Sequence, residues 1–305
     1  MHIGVSIGDV TGPVTLATIT ARAERADALG LHSVWLNNNP SWDPLTTLAL
    51  VGQPAPDVEL GTNIVLTYPR HPLILTSQAL TVQAATGNRL QLGIGPGHRL
   101  VTEEWFGYNF DHPVQDLREY LEVLRPLLRG EAVQYRGESV RVNAQIAVPE
   151  AAPPPILISA MGPAMLRLTG ELADGTVTAS VGPRTLAEHI APRINAAAAE
   201  AGRPKPRIVA SVMVDVTDEP EVARARVAAR FGMSSQLLAY RAMLDREGVA
   251  GYEDLLLTGD EAAVRAGLRA YREAGATELI AMVVSEPGAE ARTEALLASE
   301  AAAAG

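Results

Sequence analysis

Short apolar runs alternate with longer segments of helical period from one end of this chain to the other. Runs at 2–7, 32–36, 156–159, 175–180, 208–216 and 278–284 predict strands, and between Val58 and His98 the pattern reads strand, loop, helix, strand. Segments 13–29, 44–52 and 111–129 repeat apolar residues at helical spacing, with Gly30 and Gly130 placed to end helices. A hairpin is expected within 132–142 around Arg136-Gly137. The Ala- and Pro-rich stretch 148–155 has the composition of a linker but runs straight into a strand, so 1–305 is read as one domain.

About eight strands, each followed by a helix or a helix-bearing excursion, fit a closed parallel (β/α)8 TIM barrel better than an open sheet. Segment 236–257 is then an insertion before the last βα unit. Barrel enzymes keep their reactive groups on loops leaving the carboxyl ends of the strands. Loops 6–11, 37–41, 63–71, 95–99, 159–163 and 178–183 should therefore face one cavity.

Composition narrows the chemistry. With 305 residues, 47% of them hydrophobic, the chain can bury a proper core. A net charge of −10 leaves no basic stripe for a nucleic-acid backbone. The absence of cysteine excludes disulfides, thiolate nucleophiles and cysteine-ligated zinc. No apolar run is long enough to cross a membrane, so a soluble cytoplasmic protein is expected.

Gly93-Ile94-Gly95-Pro96-Gly97 ends a strand, and its third glycine comes too early for a dinucleotide fingerprint. It is either a tight turn that needs glycine torsions or a stretch of bare backbone that a flat ligand can approach. Ser159-Ala160-Met161-Gly162-Pro163 is either an ordinary helix start or a set of N–H groups that can take a phosphate. The titratable groups near these loops are Arg70, His71, His98, Arg99, Glu103 and Glu104. None forms a metal-ligand spacing or a nucleophile elbow. Much backbone and few acid–base groups suit a flat cofactor that brings its own chemistry.

Together, AERADALGLHSVWLNNN, DPLTTLAL, LGTNIVLTYPRHP, NRLQLGIGPGH and PPILISAMGPAMLRLTGELADG resemble the luciferase-like monooxygenase superfamily. Within it they are similar to the oxidoreductases that use the deazaflavin coenzyme F420. The resemblance implies a barrel mouth that holds an isoalloxazine-like ring, with a non-proline cis peptide at Asn63–Ile64 behind it. Cofactor contacts are implied at Asn38, Thr62, Asn63, Ile64, Val65, Pro96, Ser159, Ala160, Met161, Gly162, Pro163 and Ser180, the phosphate resting on backbone from Ala160 to Pro163. The family's Asp-His turn after the second strand is Asn38-Asn39 here. Asn39 can orient a ligand but cannot take its proton, which disfavours alcohol oxidation through a base at that site.

The glutamate that the family's dehydrogenases place after the glycine turn is replaced by His98, able to donate a proton, with Tyr68 and Glu103 as weaker alternatives. The expectation is a reductase: hydride passes from reduced F420 to an electron-poor C=C or C=N bond of a small apolar substrate. Met243, Leu244 and Tyr252 are expected in its pocket, Arg70 or Arg99 near the coenzyme's acidic tail, and a homodimer by family likeness. The rivals are an FMN-dependent monooxygenase and a non-catalytic ligand-binding barrel.

Overall fold

The computed structural model describes residues 1–8, 14–37, 42–179 and 181–303. Eight parallel strands form the barrel: β1 (His2–Ser6), β2 (Ser33–Leu36), β3 (Glu59–Thr62), β4 (Leu90–Gly95), β5 (Ile156–Ile158), β6 (Gly175–Ala179), β7 (Arg207–Val216) and β8 (Glu278–Val283). Each pairs with the next in chain order, and β8 pairs with β1, which closes the sheet. This is the (β/α)8 barrel that the alternation of runs predicts.

Alternation along the strands sends every second residue inward. Trp35, Leu157, Val177, Val209 and Ile280 form one inner cluster, with Ile64 packed on it. Trp35 is the bulkiest of them, and glycines make its space. A Cβ on Gly61 would overlap the Trp35 ring, and one on Gly4 would run into Ser33 and the Trp35 indole nitrogen. Gly61→Ala is therefore expected to cost about 1–3 kcal/mol by overpacking. A second change, Trp35→Leu, should recover part of that loss in thermal unfolding; a neutral Gly61→Ala would mean that the ring is not confined as described.

Beneath Trp35 lies a polar layer. Glu278 is fully buried, and it accepts from the Ser33 hydroxyl, the Trp35 indole N–H at 2.9 Å and Arg207 Nη2 at 2.7 Å. Arg207 also reaches Gln91 and, at 3.6 Å, Glu59.

Local chemistry trims the expected helices. The first begins at Leu16 because Thr15 caps it and Thr18 answers in a capping box. Asp43 caps Pro44–Val51, and His71 caps Pro72–Ala85. The hairpin forms as expected, pairing Val133–Arg136 with Arg141–Ala144. Glu119, from helix Pro113–Leu128, fixes its turn by accepting the N–H groups of Glu138, Ser139 and Val140.

Three features are not legible as periodicity. Val65–Leu66 continues the β3 run after an interruption at Asn63–Ile64, whose peptide is cis, and pairs with Ile94 and Gly95. Val101–Trp105 is a π-helix. Leu257–Gly259, at the end of the insertion, pairs with the upper end of β7. The lower half of β7 pairs with β6, while β8 lines its other side from Val209 to Val214. Among the described residues, no helix is long and apolar enough to cross a membrane.

Candidate active site

Two residues above the inner cluster, the same inward faces end in the small or polar Asn37, Ser159, Ala179 and Ser211 and, on β8, in Met282. Gly95 joins them. A Cβ there would lie 2.7 Å from Ile64 Cδ1 and 3.1 Å from Ser159 Cβ, so the cis-peptide bulge, the glycine turn and the start of the 159–163 loop converge on one spot. Thr62 is fully buried and donates from Oγ1 to the Gly93 carbonyl at 2.7 Å. The Asn63 N–H donates to Leu36 at 2.9 Å, which ties the bulge to the end of β2. There Asn37 Oδ1 is buried and finds no hydrogen-bond partner among the described residues. A buried carbonyl oxygen without a donor is costly, and an N–H on a bound ring would satisfy it.

The 159–163 loop presents unpaired main chain. Ser159 N–H is used by Ile94 at 2.9 Å, but the N–H groups of Ala160, Met161 and Gly162 find no acceptor among the described residues. Gly162 precedes helix Pro163–Leu172 without a side-chain cap, and a Cβ on it would meet nothing within 4 Å. His189 holds the loop from below, its Nε2 lying 2.7 Å from the Met161 carbonyl. That carbonyl can only accept, so Nε2 carries the proton; burial lowers the pKa of the ring.

Other expected contacts are limited to main chain. Val65 is fully buried in the layer between strands and helices, and Pro96 is buried with its carbonyl accepting from Thr102 Oγ1 at 3.1 Å. Asn38, Asn39 and Ser180 lie outside the described residues.

His98 stands on the rim beyond Gly95. Its ring meets Tyr240 edge to face, centroids 4.8 Å apart at 65°. Burial lowers its pKa. The alternative proton sources are otherwise engaged. Tyr68 donates to Asp116 Oδ2 at 2.7 Å, and burial and that carboxylate push its pKa upward; Glu103 pairs with Arg99. The two arginines are also held, Arg70 by Asp43 and Arg99 by Glu103, Asp111 and the Phe110 carbonyl.

Across the mouth, above β6, β7 and β8, an apolar cavity of about 70 Å³ is lined by Ala179, Met213, Phe231, Tyr252, Leu255 and Met282. Tyr252 lies where the apolar insertion predicts it. Met243 and Leu244 do not: both are buried core residues, turned inward by helix Leu238–Glu247. A larger groove of about 770 Å³ lies between the starts of helices Pro72–Ala85 and Pro113–Leu128. None of the strand-end residues above lines it. Several of its polar groups pair with one another, Tyr68 and Ser139 on Asp116 and Tyr120 on the Arg70 carbonyl, while Arg70 Nη1 is buried without a partner among the described residues.

A closed parallel barrel with glycine and unpaired main chain at its carboxyl-end mouth is the architecture of a cofactor-holding enzyme. The luciferase-like monooxygenase family model matches residues 2–278, and the chain belongs to that family. A curated relative, 5,10-methylenetetrahydromethanopterin reductase of Methanolobus tindarius, is 27% identical over 256 residues, covering 81% of this chain and 77% of the relative. Two solved structures share the fold. An F420-dependent secondary alcohol dehydrogenase with an F420-acetone adduct superimposes with a TM-score of 0.82 at 18% identity, covering 98% of this chain and 97% of its own. The coenzyme F420 dependent tetrahydromethanopterin reductase of Methanopyrus kandleri does so with a TM-score of 0.77 at 21% identity, covering 99% and 98%.

Proposed function

We propose that this chain is an F420-dependent oxidoreductase that passes a hydride from the reduced deazaflavin to an electron-poor C=C or C=N bond of a small organic substrate. The observation that carries the reading is the convergence at the mouth of the Ile64 bulge packed on Gly95 and Ser159, the orphaned Asn37 oxygen and the unpaired N–H groups of Ala160 to Gly162. The relatives named for F420 and for reduction support it.

When bound, the coenzyme supplies a carbon that carries hydride. The protein's part is placement. Asn37 would accept a hydrogen bond from the bound ring, Ile64, seated against Gly95 and Ser159, would back it, and the 160–162 backbone with the helix behind it would hold phosphate. Reduction of the double bond consumes the hydride and one proton, and His98 supplies the proton and regains it from water.

Titration of the purified protein with F420 and with FMN, followed by absorbance and fluorescence, tests the reading. Saturable F420 binding with weaker FMN binding is expected. FMN binding alone, with oxygen uptake on reduction, would make it a monooxygenase. Binding of neither would leave a barrel without a redox role.

A further inference from the structure

Building on the proposed reaction, we infer that Tyr240, carried on insertion helix Leu238–Glu247, is a positioning residue that holds the His98 imidazole over the barrel mouth. Two ring contacts bear on its position. One is the edge-to-face packing on His98, and the other is Tyr252, whose ring lies 5.9 Å away at 73°. Tyr252 is only 4% exposed and walls the apolar cavity above β6 to β8. His98, Tyr240 and Tyr252 thus form a line of rings from the glycine-turn side of the mouth to its apolar side.

The helix under Tyr240 is fastened at its far end. Glu247 accepts the N–H of Arg184 at 3.1 Å and of Thr185 at 2.6 Å, where Gly182 makes room for the carboxylate. Leu244 is fully buried, and Arg241 donates to the carbonyls of Val249 and Ala250. At the near end, Met233 and Leu238 are 90% and 89% exposed. Tyr240 sits on the first turn of the helix, two residues after exposed Leu238, with its ring against His98 and Tyr252.

The consequence for His98 is both geometric and electrostatic. Among the described residues, its side chain makes no hydrogen bond that would orient it, and the Tyr240 ring is its one aromatic neighbour. No carboxylate or cation contributes to its depressed pKa; the cause is burial alone. A ring laid against the imidazole excludes water from that side and limits the directions in which it can turn.

Histidine-labelled protein, with the His98 resonances assigned by their loss in His98→Gln, gives a readout that needs no cofactor. Contact NOEs between the His98 and Tyr240 rings are expected, together with a His98 pKa below 6.5 that returns toward 6.5 in Tyr240→Leu and stays low in Tyr240→Phe. In enzyme loaded with F420, Tyr240→Leu should lower kcat/KM about 2- to 10-fold, the range of an aromatic pair, and move its pH profile with the imidazole. F420 affinity should hold.

Absence of the NOEs in the unsubstituted protein, or an unmoved His98 pKa in a folded Tyr240→Leu, would overturn the assignment. So would a moved pKa with an unchanged kinetic profile. Failure of the unsubstituted protein to bind F420 would instead strike the proposed reaction, and the NMR result would still decide the contact.

Discussion

Arg207→Ala is expected to lose roughly 3–5 kcal/mol of stability, because it leaves the Glu278 carboxylate buried without its cation. Glu278 is fully enclosed, and after the change only the neutral donors Ser33 and Trp35 would remain on it. The loss belongs to the uncompensated buried charge more than to the pair itself. Glu278→Gln placed on top of Arg207→Ala should therefore recover much of it. Thermal unfolding followed by circular dichroism is the check. A single variant that unfolds with the parent, or a double variant no better than the single, would show that the layer under Trp35 is not held by this pair.

His98→Gln is expected to slow hydride-coupled turnover by about 10²–10⁴-fold, the usual worth of a general acid. The pH profile carries the sign. Burial lowers the His98 pKa, so at neutral pH the ring is mostly uncharged and only a small fraction carries the proton to be donated. Turnover in the reducing direction should rise as pH falls toward that pKa and level off below it. Oxidation, which needs the uncharged ring, should fall over the same interval. His98→Gln should flatten both limbs while F420 binding holds. A profile in His98→Gln that matches the parent would assign the proton to water or to another group.

Much of the barrel was legible because strand and helix periods differ and glycines mark their junctions. Strand β4 ends at Gly95 and helix Pro163–Leu172 starts where the pattern places them, although of Gly93, Gly95 and Gly97 only Gly97 takes a turn's left-handed torsion. What escaped depends on contacts between distant segments. Glu278 looks like an ordinary polar strand end, and only closure of β8 on β1 and β7 buries it against Arg207. Gly4 and Gly61 show no local signal of the ring that they accommodate.

Asn37, not singled out by resemblance, carries a buried oxygen without a partner among the described residues, whereas Asn38 and Asn39 lie outside them. Apolar character could not separate wall from core in the insertion, so Met243 and Leu244 were expected in the pocket that Tyr252 lines. Tyr240 has no motif of its own, and its meaning comes from the histidine that the fold brings to it.

The strand β7 changes neighbours partway up, trading β6 for Leu257–Gly259. The insertion is thereby keyed into the barrel wall above the reach of β6, so that a change in its length would pull on the top of β7 and leave the lower seam between β6 and β7 in place.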